Sequence, residues 1–233
     1  MVRINTAAFV AFATCALAAP NLLHVPRQDK ATVQNEFIDL RVAQEIKIWE
    51  LRDVLPKDRQ EKWDEEQVKF SAIAGSESDI LKTKIEDLAK EFADNEQAKA
   101  KFDEFKANQD KINGLKDQLK QNFSNPDVQR DVISANVAST DLANSVRDAL
   151  PQDQQDAWNA AFKAFDDKVG AASKVFMKTT RPLLDNLPEE AEKVHQEVVT
   201  LRDQVKAKMQ QLRDLDNQIS NKARAIEPVF TGH

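Results

Sequence analysis

The residues that come nearest to chemistry are four runs of carboxylates: Asp64-Glu65-Glu66, Asp166-Asp167, Glu189-Glu190-x-Glu192 and Asp214-x-Asp216. Carboxylate oxygens are hard ligands that suit calcium or magnesium, and calcium takes about six to eight of them from a loop folded around the ion. These runs lie in helix-forming sequence, where adjacent side chains point in different directions. A site built from them would be weak and shared between helices. Asp214-x-Asp216 opens like an EF-hand loop, but Ile219 stands where that loop needs Gly. The candidate metal ligands are Asp166 and Asp167, with Asp64, Glu65 and Glu66. Asp166 and Asp167 come first because they follow a repeated Trp–Phe face. Such runs ordinarily form a solvated charged face, so no cofactor is expected beyond weakly held calcium or magnesium.

Acid–base and nucleophilic chemistry find less support. The histidines are His24, His195 and His233, the first and last in terminal stretches. His195 stands alone on an amphipathic segment, and acid–base work needs a partner within reach. The single cysteine, Cys15, falls in the leader described below. There is no G-x-S-x-G, no glycine-rich phosphate loop and no H-E-x-x-H. The chain is not expected to be an enzyme.

The elements that position these residues announce themselves by repetition. LRDVLPKDRQEKWDEEQVKF at 51–70 returns as VRDALPQDQQDAWNAAFKAF at 146–165, an offset of 95 residues. Leu55, Pro56, Gln60, Trp63 and Phe70 recur as Leu150, Pro151, Gln155, Trp158 and Phe165. The phrase reads as helix, corner, helix. The residue before a proline is pushed out of the α region, so Leu55 and Leu150 end one helix. Pro56 and Pro151 fit the first turn of the next, where a missing N–H costs nothing. Trp158, Phe162, Phe165 and Val169 then share one helical face, and Trp63 and Phe70 keep that face in the first copy. Trp63, Phe70, Trp158, Phe162 and Phe165 are expected as core anchors, since apolar stripes at helical spacing usually pack. The sharper alternative is that they line a ligand pocket.

The repetition extends to Val33, Gln34, Ile38 and Val42, which recur as Val128, Gln129, Ile133 and Val137. At a slightly smaller offset, His195 falls opposite Phe102, which marks it as a packing position. Two tandem helical units are therefore expected, 31–125 and 126–220, with a tail at 221–233. Helices are expected at 31–54, 57–74, 78–93 and 96–122, then at 127–149, 152–178, 182–187 and 189–223. The last carries Val194, Val198, Leu201, Val205, Met209 and Leu212 in a coiled-coil-like seam for a partner helix. Only four Gly and no Tyr occur, and no segment alternates with period two. The predicted fold class is all-α, an elongated bundle of two tandem helical repeats with no sheet.

Residues 1–18 read as a secretion signal. Arg3 precedes a short apolar run, and Ala16-Leu17-Ala18 forms a small-residue cleavage site. The run is too short to span a bilayer. Residues 19–30 read as a flexible lead-in. The protein is expected outside the cell, held by packing alone, without disulfides. A formal net charge of −6 without basic clusters argues against a nucleic-acid partner. Asn122-Phe123-Ser124 is a glycosylation sequon.

KAKFDEF at 99–105, a following charged helix and the Ala149-Leu150-Pro151 corner resemble the SXP/RAL-2 family of nematode secreted proteins, the family of an Anisakis allergen. The matching residues are Phe102, Phe105 and Lys106 in an F-x-x-F-K stretch, then Leu150 and Pro151. The resemblance covers roughly 78–160 and straddles the two units. It implies an all-helical, secreted, antigenic, non-enzymatic protein, and its members are described as binding divalent cations. Two function classes follow. The first is a secreted helical binding protein with a divalent cation, or a host or self protein, as partner. The alternative is a secreted helical carrier of fatty acids or another hydrophobic ligand, suggested by Leu187-Pro188-Glu189-Glu190. A carrier needs a sizeable apolar cavity, whereas the aromatic residues here look committed to packing.

Overall fold

The computed structural model describes residues 30–92, 94–119, 123 and 125–230, excluding the side chains of 219–230. Among the described residues the chain is all-helical and has no strand. In order come α1 (Lys30–Val54), α2 (Lys57–Glu91), α3 (Glu96–Leu119), α4 (Pro126–Asp148), α5 (Gln152–Thr180), a short 3-10 turn (Arg181–Leu184) and α6 (Glu189–Phe230).

The two Leu-Pro corners are built alike. Pro56 and Pro151 have extended backbones and immediately precede the first helical residue, one step earlier than a first-turn position. Their carbonyls accept the opening helical bonds, Gln60 N–H at 3.0 Å and Gln155 N–H at 2.9 Å. Each corner is then stitched from the following helix. Gln60 Nε2 donates to the Leu55 carbonyl at 2.8 Å, and Gln155 Nε2 to the Leu150 carbonyl at 2.8 Å. These side chains satisfy carbonyls that the ends of α1 and α4 would otherwise leave orphaned.

The helices then pair antiparallel. Lys47 bonds Glu197 at 2.8 Å and Lys208 bonds Glu36, which runs α6 backward along α1. Asn108 Nδ2 donates to the Ala135 carbonyl at 2.7 Å and Asn95 Nδ2 to that of Ala149 at 2.9 Å, laying α3 along α4. Glu66 meets Thr179, while Ile85 shares a core with Trp158, so α2 lies along α5. Finally, α1 also lies against α4 in antiparallel order, with Lys30 on Asp141 and Arg130 on Asp39.

The cores follow from these pairings. One end packs Ile85, Phe92, Ala98, Phe105, Val146, Leu150 and Trp158. The other packs Leu51, Leu55, Trp63, Leu183 and Ala191. Phe70, Ala74, Val169 and Ala172 join α2 to α5 between them. Ile112, Leu115, Leu119 and Val132 line the α3–α4 pair, and Phe37, Ile38, Val42 and Val205 the α1–α6 pair. With 35 residues α2 runs about 52 Å, well beyond the diameter of a small domain.

Three boundaries differ from expectation. The helices expected at 57–74 and 78–93 are one, α2, which passes straight through Gly75. A helical Gly costs roughly 1 kcal/mol against Ala. Burying Phe70 and Ala74 before it and Ile85 after it outweighs that cost. The segment expected at 182–187 is a 3-10 turn that ends at Leu184. Asn186 follows at φ 50°, a left-handed conformation that Asn tolerates. Arg59 Nη1 pins this link by donating to the Leu183 and Asp185 carbonyls at 2.9 and 2.7 Å. The backbone of α6 stays helical to Phe230, inside the stretch expected as a tail.

Candidate functional site

The aromatic residues sit at the junctions of the helix pairs. Trp158, 2 % exposed, meets Phe102, Phe105 and Phe162 at ring-centre distances of 6.5, 6.3 and 5.3 Å. Trp63 meets Phe176 edge-on at 5.7 Å, and Phe70 meets the same ring at 5.8 Å. Phe162 and Phe165 are half-buried, each packed against a buried cluster. The indoles and phenyls therefore fill one another's space with offset and edge-on contacts.

The carboxylates are mostly held by cations or amides. Asp64 takes a two-pronged bond from Arg52, through Nε at 3.0 Å and through Nη2. The Asp64 carboxylate is the main reason the Arg52 guanidinium holds its proton more tightly than usual. Glu65 and Glu66 both contact Lys69, at 2.9 and 2.6 Å. Glu66 also accepts from Thr179 Oγ1 at 3.0 Å. The Lys69 hydrogen bond, then that of Thr179, holds the Glu66 carboxyl below the usual range. Asp167 bonds Lys163 at 2.6 Å, with Asp166 half-buried beside it. Glu189 pairs with Lys193, Glu192 accepts from Gln196, Asp214 from Gln210, and Asp216 pairs with Lys30.

The two foremost acidic runs are not brought together. Glu66 meets α5 at Thr179, about 18 Å along the helix from Asp167. Among the described residues no three His, Cys, Asp or Glu side chains converge as a metal ion would need. His195 is partly exposed, with Nδ1 4.0 Å from Glu192. Asn122, Cys15, His24 and His233 lie outside the described residues, as do the stretch expected as a secretion signal and most of that expected as a lead-in. An open surface concavity lies over the first turns of α6, lined by Leu187, Glu189, Glu192, Lys193, Gln196 and Glu197. Leu187 is its one aliphatic residue and the concavity is open to solvent, unlike the enclosed aliphatic lining that a lipid site requires.

One constellation escaped the sequence reading. Arg41, Gln44 and Glu45 are buried on α1, at 7, 6 and 3 % exposure. The available signal was spacing, because Arg41 and Glu45 continue the face of Phe37, Ile38 and Val42 into a buried register. No family model, curated protein or solved structure matches the chain.

Proposed function

We propose that this chain is a secreted, non-enzymatic helical binding protein of antigen type, built from tandem units 31–125 and 126–220 and similar to SXP/RAL-2 proteins. Its partner is another protein, of host or self, or a weakly held divalent cation. One observation carries the reading: contacts in the two halves correspond. Gln60 stitches Leu55 as Gln155 stitches Leu150. Trp63 and Trp158 are the buried indoles of the two end cores. Ala191 and Ala98, both fully buried, sit where the last helix of each half enters its core. α3 lies on α4 as α6 lies on α1. Side chains that could do chemistry are thus spent on a duplicated scaffold, and the charged outer faces are left to meet partners.

A thermal-shift panel of the full chain with calcium, magnesium, zinc and oleate tests the reading. The expected result is a small rise in melting temperature with millimolar calcium or magnesium, similar for both and weakened by added salt. A specific cation site would instead saturate, prefer one ion and disappear in Asp166→Asn/Asp167→Asn. No cation response together with a rise in oleate would overturn the proposal in favour of a lipid carrier.

A further inference from the structure

α1 packs against both α6 and α4. The charges that those helices bring to this junction pair with other α1 residues: Glu197 with Lys47, Lys208 with Glu36, Arg130 with Asp39 and Asp141 with Lys30. Arg202 of α6 turns to its neighbour Asp203. The buried Arg41, Gln44 and Glu45 form a group of their own. Arg41 Nη1 donates to Gln44 Oε1 at 2.6 Å, and Nη2 donates to Glu45 Oε1 at 2.5 Å. Glu45 Oε2 is buried with no hydrogen-bond partner among the described residues.

An ionised carboxylate out of water costs free energy unless both oxygens are satisfied. Arg41 satisfies one. We propose that Glu45 is a proton-operated clasp at the junction of α1, α4 and α6, which tightens the fold as the surroundings acidify. A proton on the unpartnered Oε2 removes the carboxylate's own buried charge and leaves Oε1 free to accept from Arg41, whose guanidinium stays charged and bonded to Gln44. Burial pushes the Glu45 carboxyl up, and the Arg41 charge offsets this only in part. The folded chain therefore holds this proton more tightly than the unfolded chain. The resulting stability is full below the carboxyl range of the unfolded chain and is lost as pH rises through the folded value. Glu66, whose carboxyl is held low, works in the opposite direction.

Urea unfolding of the full chain and of Glu45→Gln, at pH steps from acid to neutral, tests the clasp. The ratio of wild-type to variant unfolding constants should be level in acid. It should then climb by up to about tenfold per pH unit across the window between the two carboxyl values, and level off. A ratio that is flat or falls with rising pH overturns the proposal. Carbon-13 titration of the wild-type Glu45 carboxyl gives an answer that does not depend on the variant folding. A midpoint above the usual glutamate range supports the clasp, and one within or below that range overturns it.

Discussion

Trp63 and Trp158 are each buried in the core at one end of the molecule. Truncating either to Ala removes the buried area and leaves a cavity among Phe176, or among Phe102, Phe105 and Phe162. Each change is expected to cost about 3–5 kcal/mol in denaturant unfolding. A loss of ligand binding without that cost would turn the ring into a pocket wall. Glu66 gives the second expectation at this scale. Its carboxyl is held low, so its stabilising contribution is present above the ordinary carboxyl range and lost as pH falls through the folded value. Glu66→Gln should be slightly less stable than wild type at neutral pH, and the gap should close in acid. A gap that persists in acid would place the effect in packing rather than charge. Both Trp residues were legible in the sequence because they recur at fixed spacing. Glu45 was not, because a charged residue in an amphipathic helix is ordinarily read as exposed, and only the tertiary packing of α1 buries it.

At the scale of the helix, local signals decide the ends and packing decides the middles. Asn125 caps α4, its Oδ1 accepting from the Asp127 and Val128 N–H groups at 3.0 and 3.3 Å. Asn125→Ala should cost about 1 kcal/mol by the loss of that cap, measured as a shift in urea midpoint. Gly114 lies inside α3, and a Cβ built there meets nothing within 4 Å. Gly114→Ala should therefore raise stability by about 0.5–1 kcal/mol, since Ala gives up less backbone freedom on folding. A loss of stability there would mean that the α3 surface is covered. The corners at Pro56 and Pro151 could be read from the sequence because proline acts on its immediate neighbour. The continuity of α2 through Gly75 could not. Glycine followed by Ser76 and Ser78 looks like a break until α5 supplies a continuous apolar seam on both sides of it.

For the whole molecule, the all-helical class was legible and the pairing was not. Every helix offers an apolar face, and nothing in that pattern says that α6 seeks α1 rather than α5. Matched charges such as Lys47 with Glu197 and Lys30 with Asp216 mark the α1–α6 seam, whereas α2–α5 and α3–α4 are joined by buried apolar clusters and amide or hydroxyl bonds. Because α1–α6, α2–α5 and α3–α4 interlock, neither half can release its core without baring the other. Unfolding is expected as one cooperative transition. Trp63→Phe and Trp158→Phe variants, each followed by fluorescence and by circular dichroism, should report coincident midpoints. Separate midpoints would show two independent ends.

The closure of α6 on α1 also sets a timetable for the nascent chain. Lys47 and its partner Glu197 are separated by 150 residues. At about 5–20 residues per second, the ribosome delivers the second roughly 8–30 s after the first. During that interval α1 lacks Val205, Met209 and Leu212 over Phe37, Ile38 and Val42, and Ala191 beside Leu51, while α3 and α4 can already zip as neighbours. The inner hairpin is thus available first and the outer pair last. A chain released early, before Glu189, would keep the inner core and expose the α6-facing side of α1 to any holdase or to its own kind.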